Sequence, residues 1–289
     1  MARKVLITGG NGQLGRELAH TAPGHAEAVA LPRDALDITD PDSVHAALDA
    51  HHPDVLINAA AYTAVDKAEA EADTAAAVNA HGPGVLARAV AARGIRLLHV
   101  STDFVFDGQA STPYRPDDPP NPLGVYGRTK LEGEERVLAA ADDHSLIVRT
   151  GWVYAGHGHN FVHTMLRLMR ERDELAVVAD QVGTPTWARG LARALWGFVD
   201  RPQTEGVYHW SDAGVASWYD FAVAIGEEAE ALGLLPRQVP VRPIPTREFP
   251  TPARRPAYSV LDKTATWQAL ELHPEHWRVA LRSMLCDLR

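Results

Sequence analysis

The chain of 289 residues has little cysteine and no long apolar run. Its single cysteine, Cys286, excludes a disulfide within the chain, which fits a reducing cytoplasm. No apolar run approaches the roughly 18 residues that indicate a membrane span. The N-terminal sequence MARKVLITGG contains no apolar signal region. We therefore expect a cytoplasmic protein that has no membrane partner.

Positive charge is also scarce. The chain has 28 Lys and Arg against 37 Asp and Glu, a net charge of −9, which argues against a nucleic-acid or membrane-surface partner. Only four residues are lysine, namely Lys4, Lys67, Lys130 and Lys263. One of them, Lys130, lies four residues after Tyr126 in the stretch GVYGRTKLEGEERV, which raises the question of its role there.

Short apolar runs alternate with amphipathic stretches over the first half of the chain, as in proteins with a parallel sheet. We interpret the apolar runs as strands at 4–9, 26–31, 54–58, 96–101 and 145–150. We predict helices after them, among others at 40–51, 67–93 and 126–141. The alternation predicts an α/β fold with a Rossmann-type, doubly wound parallel sheet covered on both faces.

The pattern changes after Thr150. Helices are predicted at 160–172, 187–200 and 217–232, short strands at 175–179 and 207–210, and an extended connection at 236–256. We therefore predict a first domain over residues 1–150, which the glycine motif described next assigns to NAD(P) binding. Residues 151–289 are expected to form a smaller, interleaved C-terminal lobe that mainly binds substrate, with some elements returning to the sheet.

The segment TGGNGQLG, residues 8–15, places Gly9, Gly12 and Gly15 between the first strand and the first helix. Glycines here let the backbone approach a pyrophosphate, which the free N–H groups of the helix N-terminus can bind. The spacing is G-x-x-G-x-x-G, the variant found in short-chain dehydrogenases. We predict dinucleotide binding; the alternative is a glycine-rich turn without a ligand.

The end of the second strand bears on the choice of cofactor. An acid there suits the ribose 2′-hydroxyl of NADH, and an arginine suits the 2′-phosphate of NADPH. Arg33 stands at this point with Asp34 beside it, so we favour NADPH and keep NADH as the alternative. The alternative is that Arg33 is a solvated surface residue.

Tyr126 and Lys130 share one face of the predicted helix. Ketone reduction needs a hydride at carbon and a proton for the nascent alkoxide. A tyrosine can supply that proton if a neighbouring ammonium moves its pKa from about 10 toward neutrality. Thr102, at the end of the fourth strand, would hold the substrate oxygen. The alternatives are a solvated helix pair and a threonine that completes a turn.

Several motifs occur in an order that resembles the dTDP-4-dehydrorhamnose reductase family of extended short-chain dehydrogenases. The motifs are TGGNGQLG, NAAAYTAVDKAE, STDFVFDG, VYGRTKLEGE, RTGWVYAG, DQVGTPT and TPARRPAYSVLD. The resemblance covers almost the whole chain. It implies NAD(P)H-dependent reduction of the 4-keto group of dTDP-4-dehydro-β-L-rhamnose, and it is compatible with a homodimer.

The resemblance also implies roles for individual residues. The cofactor would contact Gly12, Gln13 and Leu14 at its pyrophosphate, Asp37 and Ile38 at its adenine, and Ala61, Tyr62 and Thr63 further along. The sugar nucleotide would contact Thr102, Asp103 and Trp152, and Tyr126 and Lys130 would be catalytic. An indole such as that of Trp152 can stack on a sugar ring or a methyl group, although core packing is the alternative.

We assign no metal. His159 and His163 have a spacing that suits a metal, with His157 nearby, but no local carboxylate or cysteine accompanies them. Some family members bridge subunits through a metal held by glutamates. Glu17 could be one such ligand here, but Arg189 stands where a second carboxylate is expected. We therefore do not expect a metal-bridged dimer.

Two rival functions remain open. The first is a 4-ketoreductase that acts on another dTDP-deoxysugar in antibiotic glycosylation, since pocket shape rather than motif separates such enzymes. The second is a non-catalytic regulatory relative, against which the joint presence of Tyr126, Lys130 and Thr102 argues.

Arg254 and Arg255 could bind a diphosphate or form a surface salt bridge.

Overall fold

A computed structural model describes residues 2–141, 144–272 and 274–288. Its strands are β1 (Arg3–Thr8), β2 (Ala26–Leu31), β3 (Val55–Asn58), β4 (Arg96–Thr102), β5 (Ser145–Thr150), β6 (Val153–Tyr154), β7 (Leu175–Val178), β8 (Val182–Gly183), β9 (Thr186–Trp187), β10 (Gly206–His209), β11 (Ala216–Ser217) and β12 (Val241–Ile244). Its helices are α1 (Gln13–His20), α2 (Pro41–His51), α3 (Val65–Ala68), α4 (Ala72–Ala76), α5 (Gly82–Ala91), α6 (Val125–Ala141), α7 (Phe161–Glu171), α8 (Ala188–Val199), α9 (Trp218–Ala231), α10 (Thr264–Leu270) and α11 (Trp277–Cys286). None of the helices in these ranges is long and apolar enough to cross a membrane.

The central sheet has six strands in the order β10-β5-β4-β3-β1-β2, and every pair in it is parallel. The predicted doubly wound α/β fold is therefore confirmed. The chain leaves β1 toward β2 on one side and then crosses to β3 on the other. In such sheets, ligands bind beyond the carboxyl ends of the strands, where this change of direction opens a crevice.

Alternate residues of the strands enter two cores, one on each face of the sheet. Leu6, Leu56 and Leu97 pack with α2, α5 and α6 on one face. Ile57 and Leu98 pack with α1, α8 and α10 on the other. Helices α8 and α10 and strand β10 follow Thr150 in sequence, so the C-terminal half supplies part of the layer that covers the sheet.

A further apolar core lies in the C-terminal half, where α7, α9 and α11 pack around Tyr154 and Phe221. The two-stranded pairs β12–β7, β11–β8 and β6–β9 border it. The segment predicted as an extended connection at 236–256 contains β12, whose residues pair with β7 in parallel register.

The predicted continuous helix over 67–93 is wrong. The chain forms α3, a turn, α4, a π-helical segment at Ala77–His81 and then α5. Pro83 has no N–H to give to the carbonyl of Asn79, four residues earlier, so the regular helical ladder cannot pass this point. Gly133 of α6 packs against that carbonyl, and a Cβ at Gly133 would lie 2.1 Å from its oxygen.

A buried ion pair connects α6 to the sheet. The guanidinium of Arg149 on β5 donates to the carboxylate of Glu134 at 2.7 Å, and both side chains are at least 95% buried. The hydroxyl of Ser101 on β4 donates to the same carboxylate. Strands β4 and β5 are thereby fixed against the helix that carries Tyr126 and Lys130.

We predict that Glu134→Gln lowers the free energy of unfolding by about 3–5 kcal/mol, because it leaves the Arg149 charge buried without a counter-ion. Urea denaturation of the variant and the parent measures this change. Glu132→Gln is the matched control, since its pair with Arg136 is largely solvent-exposed and should contribute no more than about 0.5 kcal/mol. Equal losses in the two variants would contradict the structural role of the buried pair.

Candidate active site

The turn between β1 and α1 has the geometry that its glycines predict. Gly9 adopts φ +68°, and a Cβ there would lie 2.9 Å from the backbone of Ala60. A Cβ at Gly15 would lie 2.3 Å from the carbonyl oxygen of Gly9. Side chains at these positions would push β1, β3 and α1 apart. The backbone of the turn therefore packs closely against the ends of β1 and β3, as it does in dinucleotide-binding sites.

Helix α1 begins without a capping side chain. Its N-cap, Gly12, has no side chain to accept from the first free N–H groups, which leaves them available to an anion. Gly12, Gln13 and Leu14 line a cavity of about 410 Å³ beyond the carboxyl ends of the strands. An anionic pyrophosphate fits this end of the cavity.

The same cavity brings together most of the predicted residues. Thr102 and Asp103 reach it from the end of β4, Tyr126 and Lys130 from α6, and Trp152 from the segment after β5. Ala61 and Thr63 line it after β3. The order of the strands thus assembles, around one cavity, residues that are distant in the sequence.

Tyr126 is a protonated phenol at neutral pH. Burial raises the pKa of Tyr126 to about 12, the hydroxyl of Thr102 opposes this rise, and the charge of Asp103 adds to it. The sequence predicted a pKa drawn toward neutrality by Lys130, and the protein's own groups give the opposite direction. The reason is that the phenol is desolvated. A protonated phenol is the form that can donate a proton.

Lys130 is 2% exposed, and its Nζ donates to the carbonyl oxygen of Val100 at 2.8 Å. Burial lowers the pKa of Lys130 to about 8, and the charge of Glu134 opposes this shift. The ammonium is thus held at β4, one helical turn from Tyr126. Because Thr129 Oγ1 donates to the carbonyl of Tyr126 at 3.0 Å, the backbone between the two residues is also fixed.

Asp103 is a buried acid with an incomplete set of partners. Its Oδ1 accepts from the Thr102 hydroxyl at 3.1 Å, while Oδ2 has no hydrogen-bond partner among the described residues. Burial raises the pKa of Asp103 to about 6, and the nearby hydroxyls of Ser259 and Thr102 oppose the rise. A buried polar atom of this kind, next to a cavity, is suited to receive a hydroxyl or amide of a ligand.

Trp152 has an unusual backbone conformation. Its φ is +52°, in the left-handed region that bulky residues rarely adopt. Its indole stacks on that of Trp218, with ring centroids 3.5 Å apart, and Gly183 lies against it without room for a Cβ. The indole pair lines the cavity, so Trp152 is both packed and part of the site.

Five predicted cofactor residues do not line this cavity. Arg33 is 77% exposed and approaches Asp37 at 3.5 Å. Hydrogen bonds from Thr39 lower the pKa of Asp37. Ile38 is buried against Gly82, and the hydroxyl of Tyr62 donates to Glu71 at 2.7 Å. Gly9 shapes the turn and does not line the cavity.

The sequence does not predict the place of Trp218 in the site or the presence of a second cavity. Trp218 has no recognisable spacing to the other motifs, yet it lines both this cavity and a neighbouring one of about 430 Å³. Phe161, Met165, Leu168 and Phe249 give the second cavity its apolar walls. Arg255, an open alternative in the sequence, also borders both cavities and pairs with Asp66 at 2.6 Å.

Glu17 takes part in an ion-pair cluster at the N-terminal helix. It accepts from Arg189 at 2.9 Å, and Arg189 also donates to Asp287 at 2.6 Å. His157 lies 3.8 Å from the same carboxylate. Within residues 2–141, 144–272 and 274–288, no group of three or more acidic, histidine or cysteine residues is arranged to hold a metal ion.

The chain is similar to characterised proteins over its whole length. The family model for the RmlD substrate binding domain matches residues 3–289. A dTDP-4-dehydrorhamnose reductase of Aggregatibacter actinomycetemcomitans is 45% identical, with 98% of each chain covered. A probable dTDP-4,6-dihydroxy-2-methyloxan-3-one 4-ketoreductase of Streptomyces antibioticus is 43% identical, over 98% of this chain and 95% of the relative.

A solved structure has the same fold. The dTDP-4-dehydrorhamnose reductase of Bacillus anthracis, in complex with NADP, superposes with a TM-score of 0.93 at 35% identity and covers 99% of this chain and 100% of that chain. The fold and these relatives define a dinucleotide-dependent reductase of the short-chain dehydrogenase type. The chain belongs to the RmlD substrate binding domain family, the family of the dTDP-4-dehydrorhamnose reductases.

We predict that Asp103→Asn raises the free energy of unfolding at pH 7 by about 2–3 kcal/mol, because it removes a buried charge. The folded-state pKa of Asp103, about 6, exceeds its ordinary value of 3.8. As the pH falls from about 6 to about 4, Asp103 takes up a proton in the folded wild type but not yet in its unfolded state, so the wild type becomes more stable. The difference in free energy of unfolding between Asp103→Asn and the wild type therefore closes over this range. Urea titrations at several pH values measure it.

The control is Asp107→Asn. Hydrogen bonds from Asn121 and Gln109 lower the pKa of Asp107, so its charged form is favoured in the folded protein. Losing that charge should reduce stability at pH 7. A stability difference for Asp103→Asn that stays constant between pH 4 and pH 7 would contradict a buried, titrating carboxyl.

Proposed function

We propose that the protein reduces the 4-keto group of dTDP-4-dehydro-β-L-rhamnose to give dTDP-L-rhamnose, with NADPH as the hydride donor. The observation that carries this proposal is the placement of Thr102, Tyr126 and Lys130 in one cavity with the dinucleotide turn. Its support from relatives is the family membership and the NADP complex of the Bacillus anthracis reductase. NADH remains the alternative cofactor.

A dinucleotide held at Gly12, Gln13 and Leu14 would supply a hydride to C4 of the sugar. As the C=O double bond becomes a C–O single bond, the phenol of Tyr126 gives its proton to the oxygen, which becomes the 4-hydroxyl. The hydroxyl of Thr102 holds the same oxygen in place. To do this the hydroxyl turns its proton away from Asp103 Oδ1, to which it donates at 3.1 Å, while Oγ1 keeps the backbone N–H of Phe104 at 3.2 Å.

Lys130 supports the phenol electrostatically. After proton transfer Tyr126 is a phenolate, and the nearby ammonium stabilises that charge. An ammonium can also hydrogen-bond the ribose of the cofactor while retaining its contact to Val100. Protonation of Tyr126 from solvent then completes the cycle.

The C-terminal lobe holds the substrate in this proposal, and the predicted division at residue 150 is the functional boundary. The apolar cavity beside Trp218 suits a nucleobase, and Arg255, where the two cavities meet, suits the diphosphate. Trp152 faces the sugar, and the free carboxylate oxygen of Asp103 accepts a sugar hydroxyl. On the cofactor side, Arg33 holds the 2′-phosphate, and Asp37 and Ile38 contact the adenine. Gly9 shapes the turn at the pyrophosphate. Further contacts along the cofactor come from Ala61, Tyr62 and Thr63. On family grounds we further propose a homodimer that acts in the cytoplasm.

A second substrate has one specific observation in its favour. The Streptomyces antibioticus relative is a probable 4-ketoreductase of a different sugar-like substrate, and its identity of 43% is close to that of the rhamnose-pathway relative. Comparing turnover and product stereochemistry on several dTDP-4-keto sugars separates the two functions. The retained Thr102, Tyr126 and Lys130 argue against a non-catalytic regulatory role.

We predict that Tyr126→Phe lowers kcat for the 4-keto sugar by about 10²–10⁴-fold, because the proton donor is lost. Oxidation of NADPH, followed by its absorbance, measures the rate, and fluorescence titration confirms that NADPH still binds. Tyr208→Phe is the matched control, since Tyr208 packs on Phe198 beyond the site. Undiminished reduction by Tyr126→Phe would contradict the catalytic assignment.

We predict that Arg33→Ala raises the KM for NADPH about tenfold, because a charged contact to the 2′-phosphate is removed. The KM for NADH should stay the same, since NADH lacks that phosphate. Arg93→Ala serves as control, because Arg93 pairs with Asp49 and lies before the amino end of β4, at the opposite end of the strand from the site. Equal changes for both cofactors would contradict the role of Arg33.

A further inference from the structure

A row of buried polar side chains leads to Lys130 and has no role in the mechanism described so far. Thr8, Asn58 and His99 are cross-strand neighbours on β1, β3 and β4. All three are 0% exposed, on a sheet face whose other residues are largely apolar. Buried polar groups cost free energy unless they are hydrogen-bonded, so their contacts here define a specific arrangement.

The amide of Asn58 has a fixed orientation. Its Oδ1 accepts from the Thr8 hydroxyl at 2.6 Å and from the backbone N–H of Ala60 at 3.2 Å. With the oxygen committed to these two donors, the NH₂ group faces the imidazole. Its Nδ2 lies 3.0 Å from Nδ1 of His99.

This orientation selects the tautomer of His99. An amide NH₂ can only donate, so Nδ1 accepts, and the proton of a neutral imidazole is then on Nε2. The imidazole is neutral because burial, helped by the charge of Lys130, lowers the pKa of His99 well below its ordinary value. Its Nε2 lies 3.5 Å from Nζ of Lys130.

We propose that His99 is a positioning residue for Lys130. Asn58 and Thr8 hold the Nε2–H of His99 toward the lysine nitrogen. This contact turns the ammonium of Lys130 to the Val100 carbonyl and makes the ammonium proton easier to lose. An N–H group repels an ammonium but donates to the lone pair of a neutral amine. Compared with a hydrogen-bond acceptor at the same place, the Nε2–H group of His99 therefore favours the uncharged amine of Lys130 over its ammonium. The inference rests on the proposed function, in which Lys130 supports Tyr126.

Other charged groups act on Lys130 as well. Glu134, one turn further along α6, opposes the loss of its proton, and Arg149 of β5 pairs with Glu134. Tyr126, Asp103 and Arg255 border the same cavity. A test must change Asn58 or His99 and leave these charged groups in place.

The tautomer of His99 can be observed directly by long-range ¹H–¹⁵N NMR of the histidine rings, with the His99→Gln spectrum to assign its signals. We expect the Nε2–H form in the wild type. In Asn58→Asp the carboxylate can only accept, so His99 should carry a proton on Nδ1. An Nδ1–H tautomer in the wild type would overturn the inference. This measurement needs no substrate.

The pH dependence of kcat/KM supplies the functional test. In Asn58→Asp, the alkaline limb should move upward by about one pH unit, because His99 can then present an acceptor to Lys130 and the added charge stabilises the ammonium. His99→Gln should leave it nearly in place, because the Asn58 amide donates to the glutamine oxygen and the glutamine NH₂ group then faces Lys130 as the Nε2–H did. His209→Gln, which removes another fully buried imidazole on β10, should leave the limb in place.

An alkaline limb that stays put in folded Asn58→Asp, or that moves in His99→Gln as far as in Asn58→Asp, would overturn the inference. A wild-type protein that binds NADPH but reduces no 4-keto sugar would instead refute the proposed function. In that case the NMR measurement alone decides whether His99 faces Lys130 with its Nε2–H.

Discussion

The hydrogen bond from Lys130 to the carbonyl oxygen of Val100, 2.8 Å long, joins helix α6 to strand β4 just before the strand enters the site. It requires the helix to lie very close to its neighbours. Gly127 and Gly133 permit this, since a Cβ at either position would lie within 2.2 Å of a backbone oxygen. The position of Tyr126 relative to Thr102 follows from this packing, because both residues belong to the elements that it joins.

This packing buries several ionisable groups around β4, an interior strand of the sheet. Burial raises the pKa values of Tyr126 and Asp103 and lowers those of Lys130 and His99. The Glu134–Arg149 pair is buried beneath them. Desolvated groups of both signs lower stability, and they are found where proton transfer needs strong electrostatic interactions. The site is therefore organised by burial as much as by sequence spacing.

The sequence predicts the parts that depend on local pattern. Continuous apolar runs identify the strands of the sheet, and the glycine spacing identifies the turn that α1 follows. It fails where tertiary contacts decide. The stacking of Trp218 on Trp152, the high pKa of Tyr126 and the tautomer of His99 each depend on a neighbour far away in the chain. No local spacing encodes such contacts.

The central claim is that the phenol of Tyr126 delivers a proton to the sugar oxygen while the hydride arrives at carbon. A crystal structure of the protein with NADP⁺ and dTDP-L-rhamnose tests it most directly. The account predicts that Tyr126 Oη lies about 2.6–3.2 Å from the 4-oxygen of the sugar, with the nicotinamide against C4. A phenol turned away from both the sugar and the nicotinamide would contradict it.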